Sequence, residues 1–192
     1  MEAFFIIFSI ITMIPYHFVR NTPIPVAQVF EHFCTPQFFL ESTNVGEYAC
    51  EYINPDQLDK PRIEINDTFD MKVSYGGMDL CYNIKVNEIV QNRIITYEYA
   101  YTEVVFLNEK ANQEEERKAF MLEQLQKNKT KATWSFLDKG EEETIIKCTF
   151  FTDAEMNFVT KILTWSARKK AKKLVFGILE GYIQKMEDRT GI

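Results

Sequence analysis

From Arg62 to Tyr75 the chain reads "RIEINDTFDMKVSY", with apolar residues on odd positions: Ile63, Ile65, Phe69, Met71, Val73 and Tyr75. A period of two places them on one face of a β-strand, interrupted only by Asp67. The pair Gly76-Gly77 marks a hairpin turn, after which Leu80, Tyr82, Ile84 and Val86 take even positions. The switch to Ile89 predicts a bulge or the end of that strand. "QNR" at 91–93 turns the chain, and Ile95, Tyr97, Tyr99 and Tyr101 form the next face. Trp134 with Phe136, then Ile146 with Cys148 and Phe150, supply two more. With "EYACEYI" around residue 50 and a first strand through "YHFV" at 16–19, the pattern predicts about seven antiparallel strands in a meander.

Elsewhere the period is helical. In "PIPVAQVFEHFCTPQFF" Pro25 can open a helix, where its missing N–H costs nothing, and Pro23 holds the preceding link extended. Val26, Val29, Phe30 and Phe33 then make an apolar face, and Pro36 starts a second short helix with Phe38, Phe39 and Leu40. Residues 108–130 are polar, and "QEEERKAFMLEQLQKN" within them carries an apolar patch at Phe120, Leu122 and Leu125. This predicts an exposed helical insertion between two strands, its charges forming a solvated face or a docking element. After the last strand, Asp153 is a candidate N-cap. From there Met156, Val159, Leu163, Ala167, Ala171, Leu174, Ile178, Tyr182 and Met186 recur every three or four residues. Their stripe drifts around a long helix, so a bend or break is expected between Trp165 and Lys173.

The first residues follow neither period. Ala3 to Ile14 carries no charge, yet is shorter than the roughly 20 apolar residues that cross a bilayer. Glu2 is the only early charge and Pro15-Tyr16 makes a poor cleavage site, so a signal peptide is not expected. Three readings stay open: a long buried strand running into "YHFV", an extension that docks on a partner or membrane, or residues upstream of a true start at Met13. The expected organisation is therefore 1–12 as extension or strand start, and 13–192 as one domain with the insertion at 108–130.

Composition narrows the function. A chain of 192 residues with sparse glycine and proline and no low-complexity tract suits one core. A net charge of -6 argues against nucleic acid as partner. Cys34, Cys50, Cys81 and Cys148 form no C-x-x-C pair and have only His17 and His32 to help build a metal site, so buried thiols in a reducing cytoplasm are expected, with no metal and no cofactor. The N-x-T sequons at Asn66 and Asn128 would matter only in a secreted chain. No catalytic or nucleotide-binding fingerprint is present. Asp67 is the one weak catalytic candidate: on an apolar strand face, burial would raise its pKa and suit it to general acid–base work, whereas "ND" as a bend would turn it out to solvent.

The order of elements, strand, two short helices, antiparallel strands and a long terminal helix, resembles the START-like or SRPBCC superfamily of helix-grip proteins. The resemblance rests on "YHFVRNTPIPVAQVFEHFCTPQFFLE", on the hairpins "KVNEIVQNRIITYEY" and "ATWSFLDKGEEETIIKCTF", and on the terminal helix, and it covers residues 13–187. Two departures are "IND" where many members have a glycine, and the insertion in a connection that is usually short. The resemblance implies an α+β fold in which a curved antiparallel sheet wraps around the C-terminal helix and the two short helices plug its open edge. It also implies binding or transport of a hydrophobic small molecule or lipid in the cavity between them. The rivals within the superfamily are a polyketide cyclase or dehydratase using the same cavity, and a protein-interaction module like its chaperone activators.

The expected lining follows from strand parity: Phe69, Met71, Val73, Tyr75, Tyr82, Tyr97, Tyr99, Tyr101, Trp134, Phe136, Cys148 and Phe150 from the sheet, with Leu163 and Leu174 from the helix. Several tyrosine hydroxyls on one inward face need internal partners, water, or a ligand with polar atoms. On the helix, Arg168, Lys169, Lys170, Lys172 and Lys173 form a basic cluster. It is either a solvated helix back or a surface for transient contact with anionic lipid.

Overall fold

Seven antiparallel strands form one sheet in the order β1-β7-β6-β5-β4-β3-β2. They are β1 (Tyr16–Thr22), β2 (Ala49–Tyr52), β3 (Thr68–Tyr75), β4 (Met78–Val90), β5 (Ile94–Phe106), β6 (Thr130–Asp138) and β7 (Thr144–Thr152). The helices are α1 (Val26–Phe33), α2 (Pro36–Glu41) and α3 (Trp165–Thr190). The computed structural model describes residues 16–42, 49–75, 78–107, 118–119, 122–123, 125–126, 130–140, 142–152 and 165–191. The apolar stretch 1–12, the turn at Gly76-Gly77, Asp153, Met156, Val159 and Leu163 lie outside the described residues.

β1 lies at one edge of the sheet and β2 at the other, since β1 pairs with β7 while β2 pairs with β3, so the chain must cross between them. The prolines shape the link that does this. Pro25 caps α1 and Pro36 opens α2, and both helices turn phenylalanines inward, with Val29, Phe30, Phe33, Phe38 and Phe39 buried. Phe30 meets Phe136 of β6 at 5.5 Å, and at the far edge the Tyr52 hydroxyl donates to the Pro36 carbonyl.

Two bulges bend the sheet. Between Tyr82↔Tyr101 and Cys81↔Glu103 the extra residue is Thr102 on β5, and between Val86↔Tyr97 and Glu88↔Thr96 it is Asn87 on β4. Each sharpens the local twist and switches which parity points inward, so Val104 and Phe106 join the core after Tyr101. The bulge at Asn87 is the one that the switch to Ile89 predicts.

Helix α3 closes the concave side with Leu179, Tyr182, Ile183 and Met186 buried, one helical stripe. Phe176 lies edge-on to Phe18 of β1 at 5.3 Å, and Tyr182 meets Phe33 and Phe38 at 5.4 and 5.2 Å. Ion pairs hold its flanks. Arg20 of β1 reaches Glu180 at 3.0 Å and the buried Glu187 at 3.4 Å, and Arg189 reaches Glu41 of α2 at 2.9 Å. The helix is continuous from Trp165 to Thr190, and residues 153–164, where the first of the two expected helical pieces would lie, are outside the described residues.

The expected long strand from Ile63 is also corrected. β3 begins at Thr68, Ile65 is 53% exposed, and Asn66 takes a left-handed conformation with φ of 72°. Asparagine tolerates that conformation, so a tight turn replaces the first five strand positions, although Ile63 still enters the core.

Candidate functional site

Strand parity puts the predicted aromatic set on one inward face, and the structure divides that face into two ends. At the end plugged by α1 and α2 the packing is dense. Phe33 lies 4.8 Å from Trp134 and 5.1 Å from Phe136, Phe38 lies 5.5 Å from Trp134, and Phe39 lies 5.1 Å from Tyr97 and 5.4 Å from Phe69. Trp134, Phe136, Phe69, Met71 and Cys148 are all at most 2% exposed. These residues are core, closed against water.

Toward the other end the face loosens. Tyr99 and Phe150 point the same way as their buried neighbours yet are only half-buried. Tyr82 and Tyr101 flank Tyr99, with Tyr82 lying 5.8 Å from Tyr99 and 6.1 Å from Tyr101. Here β5 outruns β6, whose pairing stops at Tyr99↔Thr130. The Tyr101 carbonyl, beyond the reach of β6, accepts a hydrogen bond from the Gln126 side chain at 3.3 Å. The insertion that supplies Gln126 is helical at 118–119, 122–123 and 125–126. Leu125 is 3% exposed and Leu122 packs against the core, so this stretch docks on the sheet through its apolar patch.

Tyrosine hydroxyls stand along this face between the two ends. The Trp134 indole N–H donates to the Tyr97 hydroxyl. An indole can only donate, so Tyr97 accepts there and has its own proton to give. Across the β5–β6 pair Tyr99 faces Thr130, 7% exposed, whose Oγ1 is buried with no hydrogen-bond partner among the described residues. On the other side the Cys50 sulfur and the Tyr82 hydroxyl are 3.6 Å apart. Burial pushes the hydroxyls of Tyr82, Tyr97, Tyr99 and Tyr101 and the Cys148 thiol well above their ordinary pKa values. At neutral pH these groups are uncharged hydrogen-bond formers.

Of the other predicted lining residues, Val73 is buried on β3 beside Leu80 of β4. Tyr75 lies on β3 and Leu174 on α3, with side chains outside the described residues, and Leu163 lies outside them entirely. Thr130 and Cys50 are the residues that the sequence reading misses. Thr130 shares the parity of Trp134 and Phe136, a signal obscured because it closes the polar insertion.

Acid–base candidates stand elsewhere. Asp67 is held in the turn before β3, 2.7 Å from Lys60 and accepting from the Glu64 backbone N–H at 2.6 Å. His17 is exposed on the outer face of the sheet, 3.2 Å from Thr149. His32 sits on α1, its pKa lowered by burial and by Arg189. It borders an open hollow of about 510 Å³ with Ala27, Gln28, Glu31 and Thr35, none of which is on the concave face. Burial raises the Cys34 thiol to about 11, so no ready thiolate forms there. Among the described residues no cluster of His, Cys, Asp and Glu could hold a metal ion.

The basic cluster lies on α3. Lys172 and Lys173 are exposed, Lys172 lying 5.1 Å over the Phe176 ring, and Arg168, Lys169 and Lys170 occupy the same helix with side chains outside the described residues. Among the described residues no helix is long and apolar enough to cross a membrane.

Compared by sequence, no family model and no curated protein matches the chain. Solved structures share its shape. A protein from Staphylococcus epidermidis is 11% identical with a TM-score of 0.55, the match covering 93% of this chain and 92% of that one. One from Arthrobacter aurescens is 8% identical with a TM-score of 0.55, covering 89% and 88%. One from Rhizobium loti is 14% identical with a TM-score of 0.50, covering 89% and 95%. At such identities the likeness speaks for the fold alone.

Proposed function

We propose that the protein binds an apolar small molecule or lipid between the concave face and α3, at the end marked by Tyr82, Tyr99, Tyr101 and Phe150. One observation carries this reading. On a single inward face, packing passes from the closed aromatic core around Phe33 and Trp134 to the half-buried Tyr99 and Phe150. A concave, mostly apolar surface with a few convergent polar groups is the usual form of a small-molecule site. The helix-grip order of elements resembles the START-like superfamily and agrees with it. Binding without chemistry is the better reading, because Asp67 is engaged by Lys60 outside this face and the tyrosines beside the site are held neutral. Four buried cysteines suit a reducing compartment such as the cytoplasm.

Native mass spectrometry of the protein purified from its own source tests the proposal. A co-purifying small molecule, released on denaturation and retained less by a Tyr99→Ala variant, supports it. A chain that carries nothing, and takes up no apolar fluorescent probe when one is added, contradicts it.

A further inference from the structure

We infer that α3 is jointed at Gly177 and Gly181: the turns after the joint are fixed to the plugged end of the sheet, and the turns before it swing away to admit and release the ligand. The inference rests on the proposed binding function and adds the way the site opens.

Glycine weakens a helix relative to alanine, because it gives up more backbone freedom on folding and leaves the backbone open to water. The two glycines stand about one helical turn apart in the interior of α3. Packing does not require either of them, since a Cβ built at each position would meet nothing within 4 Å. Backbone conformation does not require them either, since neither has a positive φ. What they supply is a stretch that bends at little cost, and glycine is among the usual residues at helix kinks and hinges.

Independently of the glycines, the two sides of the joint are held differently. Beyond it Tyr182, Ile183 and Met186 are buried, Glu187 pairs with Arg20 and Arg189 pairs with Glu41. Before it Val175 and Phe176 are only half-buried, and Lys172 and Lys173 are exposed. Strand register shows what this first part covers. Arg20 receives Glu180 and Glu187, and two positions back along β1 Phe18 meets Phe176. Traced backward, α3 therefore runs toward Tyr16, which pairs with Phe150. Thr152, paired with Thr130 opposite Tyr99, lies beyond Cys148, the partner of Phe18, by about 13 Å at the rise of a strand. The helix from Phe176 back to Trp165 is about 16 Å long, enough to span that distance. A swing of these turns would uncover Tyr99 and Phe150 while the aromatic core around Phe33 stays shut.

The test is stopped-flow binding of the neutral fluorescent probe naphthyl-phenylamine to three proteins: the wild type, the double variant Gly177→Ala with Gly181→Ala, and Lys185→Gly. The last puts a glycine at an exposed position of the anchored part. Stiffening the joint should raise the melting temperature by about 4–8 °C. It should also slow both uptake and release of the probe about threefold or more, with the equilibrium affinity nearly unchanged. Lys185→Gly should lower the melting temperature and leave both rates as they are. Hydrogen exchange reads the joint without a ligand: amides of 172–176 should exchange through an opening that leaves 183–189 protected, and the double variant should suppress that opening. A double variant that is stabilised but keeps wild-type rates, one that loses stability, or rates that simply follow stability in all three proteins would overturn the inference and leave the binding site standing. Failure of the probe itself to bind would remove the proposed function and the inference with it.

Discussion

The Trp134 indole N–H donates to the Tyr97 hydroxyl, tying β6 to β5 inside a core where both residues are 1% exposed. Each group is the other's partner in a dry setting, so neither can be removed without stranding a polar atom.

Trp134→Phe and Tyr97→Phe should each destabilise the fold by roughly 1–3 kcal/mol, the cost of an unsatisfied buried partner. The double variant should lose clearly less than the sum, a coupling of at least about 0.5 kcal/mol in urea unfolding. Strict additivity would mean that the two groups do not depend on each other.

Alkaline pH should unfold the protein steeply. Burial raises the pKa of Tyr52, Tyr82, Tyr97, Tyr99, Tyr101 and Tyr182. A folded-state pKa above the unfolded value of about 10 contributes stability that is complete below pH 10 and is lost as pH rises beyond it. Each such group takes away about 1.4 kcal/mol per pH unit. Phenolate absorbance should therefore rise together with loss of near-ultraviolet circular dichroism. Smooth tyrosine ionisation near pH 10 in a protein still folded would contradict the burial of this row.

How much of this could be read from the chain depends on which residues set each feature. The tyrosine face was legible because period two holds without a break from Ile95 to Tyr101. The parity change after it was not, since Thr102 is an ordinary β residue whose role as a bulge is fixed by pairing with β4. Ile63 and Ile65 continue the odd pattern by composition alone, and a left-handed Asn66 ends it. The insertion reads as solvated from its charges, yet the single position Leu125 anchors it. Sheet order came from the resemblance, because strand pairing leaves no local mark in sequence.

The basic stretch of α3 gives a membrane prediction. Lys172 and Lys173 are exposed, and Arg168, Lys169 and Lys170 precede them on the helix. Each cation near an anionic surface contributes about 1 kcal/mol, fading beyond roughly 8 Å at physiological salt. The protein should co-sediment weakly with phosphatidylserine vesicles at low salt, less as salt rises, and changing the four lysines to glutamine should abolish this without unfolding. Equal sedimentation of both proteins would make the cluster a solvated helix face.

The central claim, that an apolar ligand sits on the concave face at the Tyr99 end, is tested most directly by nuclear magnetic resonance of tyrosine- and phenylalanine-labelled protein titrated with naphthyl-phenylamine. The account predicts saturable shifts at Tyr82, Tyr99, Tyr101 and Phe150, with Tyr52 and the exposed Phe151 of the outer face unmoved. Shifts confined to Phe151 or to the α1 surface around His32, or none at any probe concentration, would contradict it.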